Sequence, residues 1–335
     1  MTETEAVVLP VERPGEPARP PARPGMFHEM DPPEHGRYRR LLTGEFTVRR
    51  MRLLTGHIQK VTEVFLDETE RQGPPADLVE AFAAPIPAVV ICELLGVPEE
   101  DRRRFREQAA RLIRTDVPRD ETVDAYLAMT AHMAELVQAK RSAPTDDLLS
   151  GLTKSDLTDD ELTTIGFLLL GAGLDTTSNM LALGTFALLR HPGQIAVLRA
   201  RPEQGVEELL RYLSITPYLV RTALEDVELG GETVRAGETV TVAIAAANRD
   251  PGRFPDPGAL DLTRSTTGHL GFGHGVHQCL GQHLARVEMR AAFPALFVRF
   301  PSLRLAVPPE DVPVRSMDML IHGVHSLPVT WDEER

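Results

Sequence analysis

One ten-residue stretch constrains this chain more than any other: residues 272–281, FGHGVHQCLG, set a single cysteine among glycines ahead of an amphipathic run. Behind Cys279, the residues Leu284, Val287, Ala291, Leu296 and Phe297 recur at near-helical spacing, which puts the cysteine at a helix N-terminus. Free N–H groups and the positive end of the macrodipole lower a thiol's pKa there and favour the thiolate, the form that binds metal. Gly273 and Gly275 permit turns closed to residues with a Cβ and leave room for a flat ligand, and Phe272 can shield the sulfur. No second Cys or His stands at zinc spacing. The thiolate therefore cannot complete a tetrahedral zinc site, but it can be the one axial protein ligand of a haem iron. A buried cysteine in a glycine-rich turn is the plainer reading. The coincidence of Phe272, Gly273, Gly275, His277, Cys279 and Gly281 in one stretch weighs against it.

These residues resemble the cysteine-ligand loop of the cytochrome P450 family, in its soluble bacterial, actinobacterial form, and the similarity runs over residues 26–331. The resemblance implies a mainly α fold with small β-sheets, in which heme b lies between a long distal helix and the cysteine loop, with Cys279 on the iron. It implies a monooxygenase that inserts one atom of O2 into a small organic molecule, in natural-product tailoring or xenobiotic oxidation. Electrons would come ultimately from NAD(P)H through a ferredoxin reductase and a ferredoxin. Family members carry several dozen more residues ahead of the segment matching Met26 onward, and these supply the first sheet strands and part of the pocket roof. Here MTETEAVVLPVERP runs through a proline-rich junction into RPPARPGMFHEMDPPEH, the pattern of an internal deletion. Two alternatives follow from that: a catalytically impaired haem protein, or a non-catalytic partner like those P450-like proteins that have lost the cysteine.

Composition sets the outer bounds. A chain of 335 residues, 42% hydrophobic, can bury a large core as one big domain or two ordinary ones. A net charge of −13 argues against nucleic acid or an anionic membrane as partner. Two cysteines, Cys92 and Cys279, make no disulfide framework, so the chain reads as cytoplasmic. Residues 1–25 hold six prolines and almost no apolar pattern, which marks a disordered arm ahead of a haem-binding monooxygenase domain at 26–335. No signal-peptide core is visible, and the apolar charge-free run at residues 162–174 is shorter than the roughly 20 residues that span a bilayer.

A helix is expected from the Asp31-Pro32-Pro33 turn onward, placing His35 and Arg39 four apart on one face. Two donors one turn apart suit a carboxylate, although an exposed basic helix has the same spacing; the resemblance assigns them to a haem propionate. Arg37, Arg39, Arg40, Arg49, Arg50 and Arg52 face only Glu45 between residues 37 and 52, a basic patch for an acidic ferredoxin that Arg286 and Arg290 would extend. Residues 55–141 read as several packed helices broken at glycine and proline.

A helix of thirty-odd residues is predicted from the capping box Thr158-Asp159-Asp160-Glu161 to His191, about 50 Å at 1.5 Å per residue. Gly171, Gly173 and Asp175 are costly in its apolar centre, and something must offset them. A flat macrocycle against the helix explains the small residues, while close helix packing explains them equally. Asp175 beside Thr176 can move protons. The resemblance makes that pair catalytic and sets Leu168, Gly171, Ala172, Leu320 and Ile321 beside the substrate pocket.

Glu208 and Arg211, three apart, can pair on one helical face, as in the family's structural pair. The arginine that should join them between Pro257 and Asp261 is absent, which leaves their third partner in doubt. Residues 218–246 read as β-hairpins turning at Gly230-Gly231 and Ala236-Gly237, with Arg221 at another propionate position by resemblance. Residues 248–271 lack periodicity and suit a long functional loop, and the tail reads as short strands.

Overall fold

The computed structural model describes residues 22–112, 118–315 and 321–332. Among them the helices are α1 (Glu34–Thr43), α2 (Val48–Leu53), α3 (Thr55–Gln72), α4 (Pro85–Leu95), α5 (Glu99–Leu112), α6 (Arg119–Ser142), α7 (Leu148–Leu152), α8 (Asp159–Arg190), α9 (Ile195–Ala200), α10 (Pro202–Leu213), α11 (Ile244–Ala247) and α12 (Gln282–Arg299). The strands are β1 (Ala76–Asp77), β2 (Leu219–Thr222), β3 (Val227–Leu229), β4 (Glu232–Val234), β5 (Thr239–Val242), β6 (Arg304–Leu305) and β7 (Pro328–Thr330).

Helix α8 is the axis. The capping box forms as expected, with Thr158 accepting from the Glu161 N–H and the Glu161 carboxylate accepting from the Thr158 N–H. The helix ends at His191 because Pro192 cannot continue it. Its two halves lie in two different apolar clusters. Leu162, Ile165 and Leu170 pack with α4, α6 and α7 residues, including Ile91, Met133 and Leu149. Met180 to Leu188 pack instead with α3, α10 and α12, including Leu66, Leu209 and Phe293. Between the clusters the helix is bare, with Gly171 and Ala172 exposed and residues 173–176 only partly covered. A buried helix thus opens at its middle.

The β-structure is small. Strand β7 lies antiparallel between β1 and β6, while β3 pairs with β4 around Gly230-Gly231. Strand β2 pairs with β5, setting Arg221 opposite Val240, and leaves Val220 and Val242 about 40% exposed (41% and 40%). Two strands alone are marginal in water. The tail adds a bridge between Val314 and Val324.

Residues 22–25 were expected in a disordered arm, yet they dock: Arg23 donates to the Tyr126 hydroxyl, and a Cβ on Gly25 would lie 2.6 Å from the Glu161 carbonyl oxygen. The rest of that arm lies outside the described residues. Among the described residues no single helix is long and apolar enough to cross a membrane.

Candidate active site

The cysteine loop closes on itself. Gly273 and Gly275 take φ of +70° and +76°, conformations that L side chains rarely adopt, and the Cys279 N–H donates to the Phe272 carbonyl at 2.9 Å. Gly281 caps α12, so Cys279 lies two residues ahead of the cap, and its sulfur accepts from the Gly281 and Gln282 N–H groups. Burial nevertheless pushes the thiol up, outweighing those N–H groups and the nearby Arg39 and Arg286. The expected lowering at a helix N-terminus is therefore present but insufficient. A bound metal cation removes the proton outright. The sulfur is reachable by solvent although closely surrounded by protein. Phe272 carries the Arg286 guanidinium 4.4 Å over its ring.

Helix α1 brings His35 and Arg39 to the same loop. His35 is buried, stacks 4.3 Å from His277 between ring centroids, and its Nε2 has no hydrogen-bond partner. Arg39 donates to the Gln278 carbonyl at 2.6 Å. Burial lowers the pKa of both histidines, and neighbouring cations lower it further: His277 and Arg39 for His35, Arg221 and Arg39 for His277. Asp31 offsets only part of this. The structure thus gathers His35, Arg39, Arg221 and His277 into a cationic cluster with a vacant donor. A hollow of about 500 Å³ lies beside it, between His35, Arg39, Arg40 and Val276. Carboxylates of a bound group would satisfy such donors.

On α8, Thr176 Oγ1 donates to the Ala172 carbonyl at 2.9 Å. Asp175 is held from both ends. Arg315 Nη2 and Nη1 donate to its Oδ1 and Oδ2 at 2.9 and 3.1 Å, and Asn179 Nδ2 donates to Oδ1 at 2.8 Å. That is the compensation which the sequence demanded without naming it. Asn179 stands one helical turn on and Arg315 stands 140 residues away, and the sequence reading named neither. The two glycines differ in what surrounds them. A Cβ on Gly171 would meet nothing within 4 Å, whereas one on Gly173 would lie 2.9 Å from Ile91, so Gly173 serves the α4–α8 contact. Leu168 and Ile321 are partly buried against the two clusters, and Leu320 lies outside the described residues.

A flat, carboxylate-bearing metal group fits these residues. One sulfur faces a space that no second thiol or metal-type cluster among the described residues shares. Cβ positions on Gly171, Gly273, Gly275 and Gly281 are open, and Asp31 offsets only part of the positive charge around His277.

Behind the cysteine, Glu208 and Arg211 are fully buried and bidentate at 2.7 and 2.8 Å. Their third partner exists: Arg264, three residues beyond where it was sought, donates to Glu208 Oε1 at 3.2 Å. Arg211 also donates to the carbonyls of Asn248, Pro257 and Ala259, which pins the aperiodic loop. The basic patch is smaller than its sequence implied. Arg37 turns to Glu161 and Asp156, Arg50 pairs with Glu45, and Arg286 and Arg290 pair with Glu207. Burial opposes ionisation of Glu207, but His269 and Arg286 hold its carboxyl at about 2.

Residues 203–329 match the family model for cytochrome P450. Cytochrome P450 105C1 from a Streptomyces species is 51% identical over 304 residues, covering 89% of this chain and 80% of that protein. Pentalenic acid synthase from Streptomyces avermitilis is 48% identical, covering 90% and 77%. The crystal structure of CYP105P1 in complex with filipin I superposes with a TM-score of 0.88 at 42% identity, over 96% of this chain and 83% of that one. With fold, site geometry and these likenesses in agreement, the chain belongs to the cytochrome P450 family, and it is a monooxygenase of that family.

Proposed function

We propose that Cys279 holds the iron of a heme b whose propionates lie among His35, Arg39, Arg221 and His277, and that the enzyme oxidises a small organic molecule in natural-product tailoring. The observation that carries this reading is the buried, partnerless Nε2 of His35 inside a cationic cluster beside the cysteine loop. Relatives named for making pentalenic acid and for hydroxylating 6-deoxyerythronolide B support the tailoring class. When bound, the haem supplies oxygen activation, which thiolate donation favours by easing O–O cleavage. The protein's own residues do the rest. Gly171 and Ala172 leave the middle of α8 open to substrate, with Leu168 and Ile321 at its margins. The Thr176 hydroxyl, resting on the Ala172 carbonyl, can turn to donate its proton, and Asp175 can renew it from solvent. Electrons would enter through an acidic ferredoxin, supplied by a ferredoxin reductase and ultimately NAD(P)H, docking near Arg40, Arg49 and Arg52. The retained cysteine and acid–alcohol pair weigh against a non-catalytic partner role.

The test is the reduced protein under carbon monoxide. A red-shifted thiolate Soret band is expected for wild type and Cys92→Ala, and its loss for Cys279→Ala. A wild-type band like that of imidazole-ligated haem would refute the assignment.

A further inference from the structure

Glu207 stands next to Glu208 on α10, but its carboxylate serves the cysteine loop. Its Oε1 accepts from Arg286 Nε at 2.7 Å and Arg290 Nη2 at 3.1 Å, and its Oε2 accepts from Arg286 Nη2 at 2.9 Å and His269 Nε2 at 3.0 Å. His269 Nδ1 accepts from the Gly271 N–H at 3.1 Å, which leaves Nε2 to carry the proton given to Glu207. One carboxylate therefore ties the chain just ahead of Phe272 to the first turns of α12. The group is largely withdrawn from water, with side-chain exposures of 8% for His269, 18% for Arg286 and 22% for Glu207.

Arg286 is the member that reaches the surroundings of the sulfur. Its guanidinium lies 4.4 Å over the Phe272 ring, and its Nη1 donates to the Gln282 side-chain Oε1 at 3.0 Å and to the Gln282 carbonyl at 3.3 Å. Both residues bear on Cys279: the Phe272 carbonyl accepts its N–H, and the Gln282 N–H donates to its sulfur. The charge of Arg286 also acts on that sulfur. A cation so placed holds electron density on the thiolate and lessens what it donates to a metal, and an anion behind the cation restores part of that donation. Groups outside the ligand itself tune a metal centre in this way.

We propose that Glu207 is a positioning residue for Cys279: it holds Arg286 on Phe272 and Gln282 and offsets its charge, and the balance between the two groups sets how much electron density the sulfur gives to a bound iron. The proposal rests on the reading of Cys279 as haem ligand.

The measurement is the one-electron reduction potential of the haem-loaded protein, because charge and packing predict different signs. Glu207→Gln keeps the shape but leaves Arg286 uncompensated, and should shift the ferric–ferrous equilibrium about tenfold toward the reduced form, ~59 mV upward. Arg286→Gln removes the cation and should lower the potential by a comparable amount, and the double variant should return toward wild type. Loosening of the loop would move both single variants the same way; that outcome, or no shift in either, would overturn the proposal. The reduced protein under carbon monoxide is read first. A wild-type chain without the thiolate band refutes the haem-ligand reading itself, whereas with the band present the potentials judge only Glu207 and Arg286. Should one of the two Gln variants fail to retain haem, the other position carries the test through its charge-keeping variant, Glu207→Asp or Arg286→Lys. That variant should keep the wild-type potential while Gln at the same position moves it in the stated direction, and equal shifts in the two would remove the charge from its role.

Discussion

On the cysteine side of the site the struts tie α10 to the loop ahead of the cysteine and to α12, whereas the facing side depends on little that is covered. Between α10 and α12, Arg211 ties Glu208 to three loop carbonyls, Arg264 closes the group, and Glu207 gathers His269, Arg286 and Arg290. On the other side Gly171 and Ala172 are exposed, and among the described residues β2 pairs only with β5. The difference teaches that holding the ligand loop and closing the pocket are separable tasks. The first is carried by ion pairs with backbone targets. The second needs covering structure, and this chain spans 77–80% of the length of its two Streptomyces relatives described above.

The largest effect should come from breaking the strong side. Arg211→Ala leaves Glu208 charged and fully buried, a loss of about 3–5 kcal/mol. Protein recovered without haem, read as a collapsed Soret-to-280 nm ratio, is the expected outcome. Arg221→Ala on the open sheet should shift fold stability by no more than about 0.5 kcal/mol. Equal losses in the two variants would erase the contrast.

Next come two glycines of the same helix. Gly184→Ala drives a Cβ to 2.5 Å from Phe293 Cζ, an overpacking that should cost about 1–3 kcal/mol. Gly171→Ala meets nothing, so the haem-free chain should gain up to about 1 kcal/mol of helix propensity. Haem uptake by that variant should fall if the macrocycle needs the space. Urea midpoints and haem titration read the two effects separately.

A smaller effect concerns Glu288, fully buried on α12 and hydrogen-bonded to Thr177 of α8. Burial, offset in part by the Thr177 hydroxyl, pushes its carboxyl up to about 8 from an ordinary 4.5. Below the lower value both folded and unfolded chains hold the proton. Between the two values the unfolded chain releases it while the folded chain keeps it, so stability falls as pH rises through that window. Glu288→Gln should therefore gain stability over wild type progressively from about pH 5 to about pH 8. A difference flat with pH would mean that Glu288 titrates alike in both states.

Smallest is the response to salt. Exposed charges are screened beyond about 8 Å at physiological ionic strength, so Arg49→Glu should slow electron transfer from an acidic ferredoxin at low salt and matter little at high salt. A rate indifferent to both would exclude the patch.

Much of the site was legible because its chemistry is local. The cysteine loop, the capping box of α8 and the His35–Arg39 pair depend on residues within one turn of each other, and backbone geometry converts such spacing directly into position. The size of the basic patch was misjudged because a count of arginines carries no direction: Arg37 turns inward to Glu161, and Arg286 to Glu207. The thiol's pKa was misjudged for a related reason, since a helix terminus is a local feature while burial is the sum of everything packed around it.

By itself the sequence determined the cysteine loop, the long helix and its ends, the hairpin turns and the family. Each of these follows from short-range periodicity, turn chemistry or a compact motif. Only the tertiary structure decided that Arg315 holds Asp175, that Arg264 completes the Glu208 pair, and that Gly173 answers to Ile91 while Gly171 faces open space. Those are contacts between segments far apart in the chain. A buried charge or a missing Cβ announces that a partner must exist, but the identity of that partner is set by packing, which spacing along the chain does not encode.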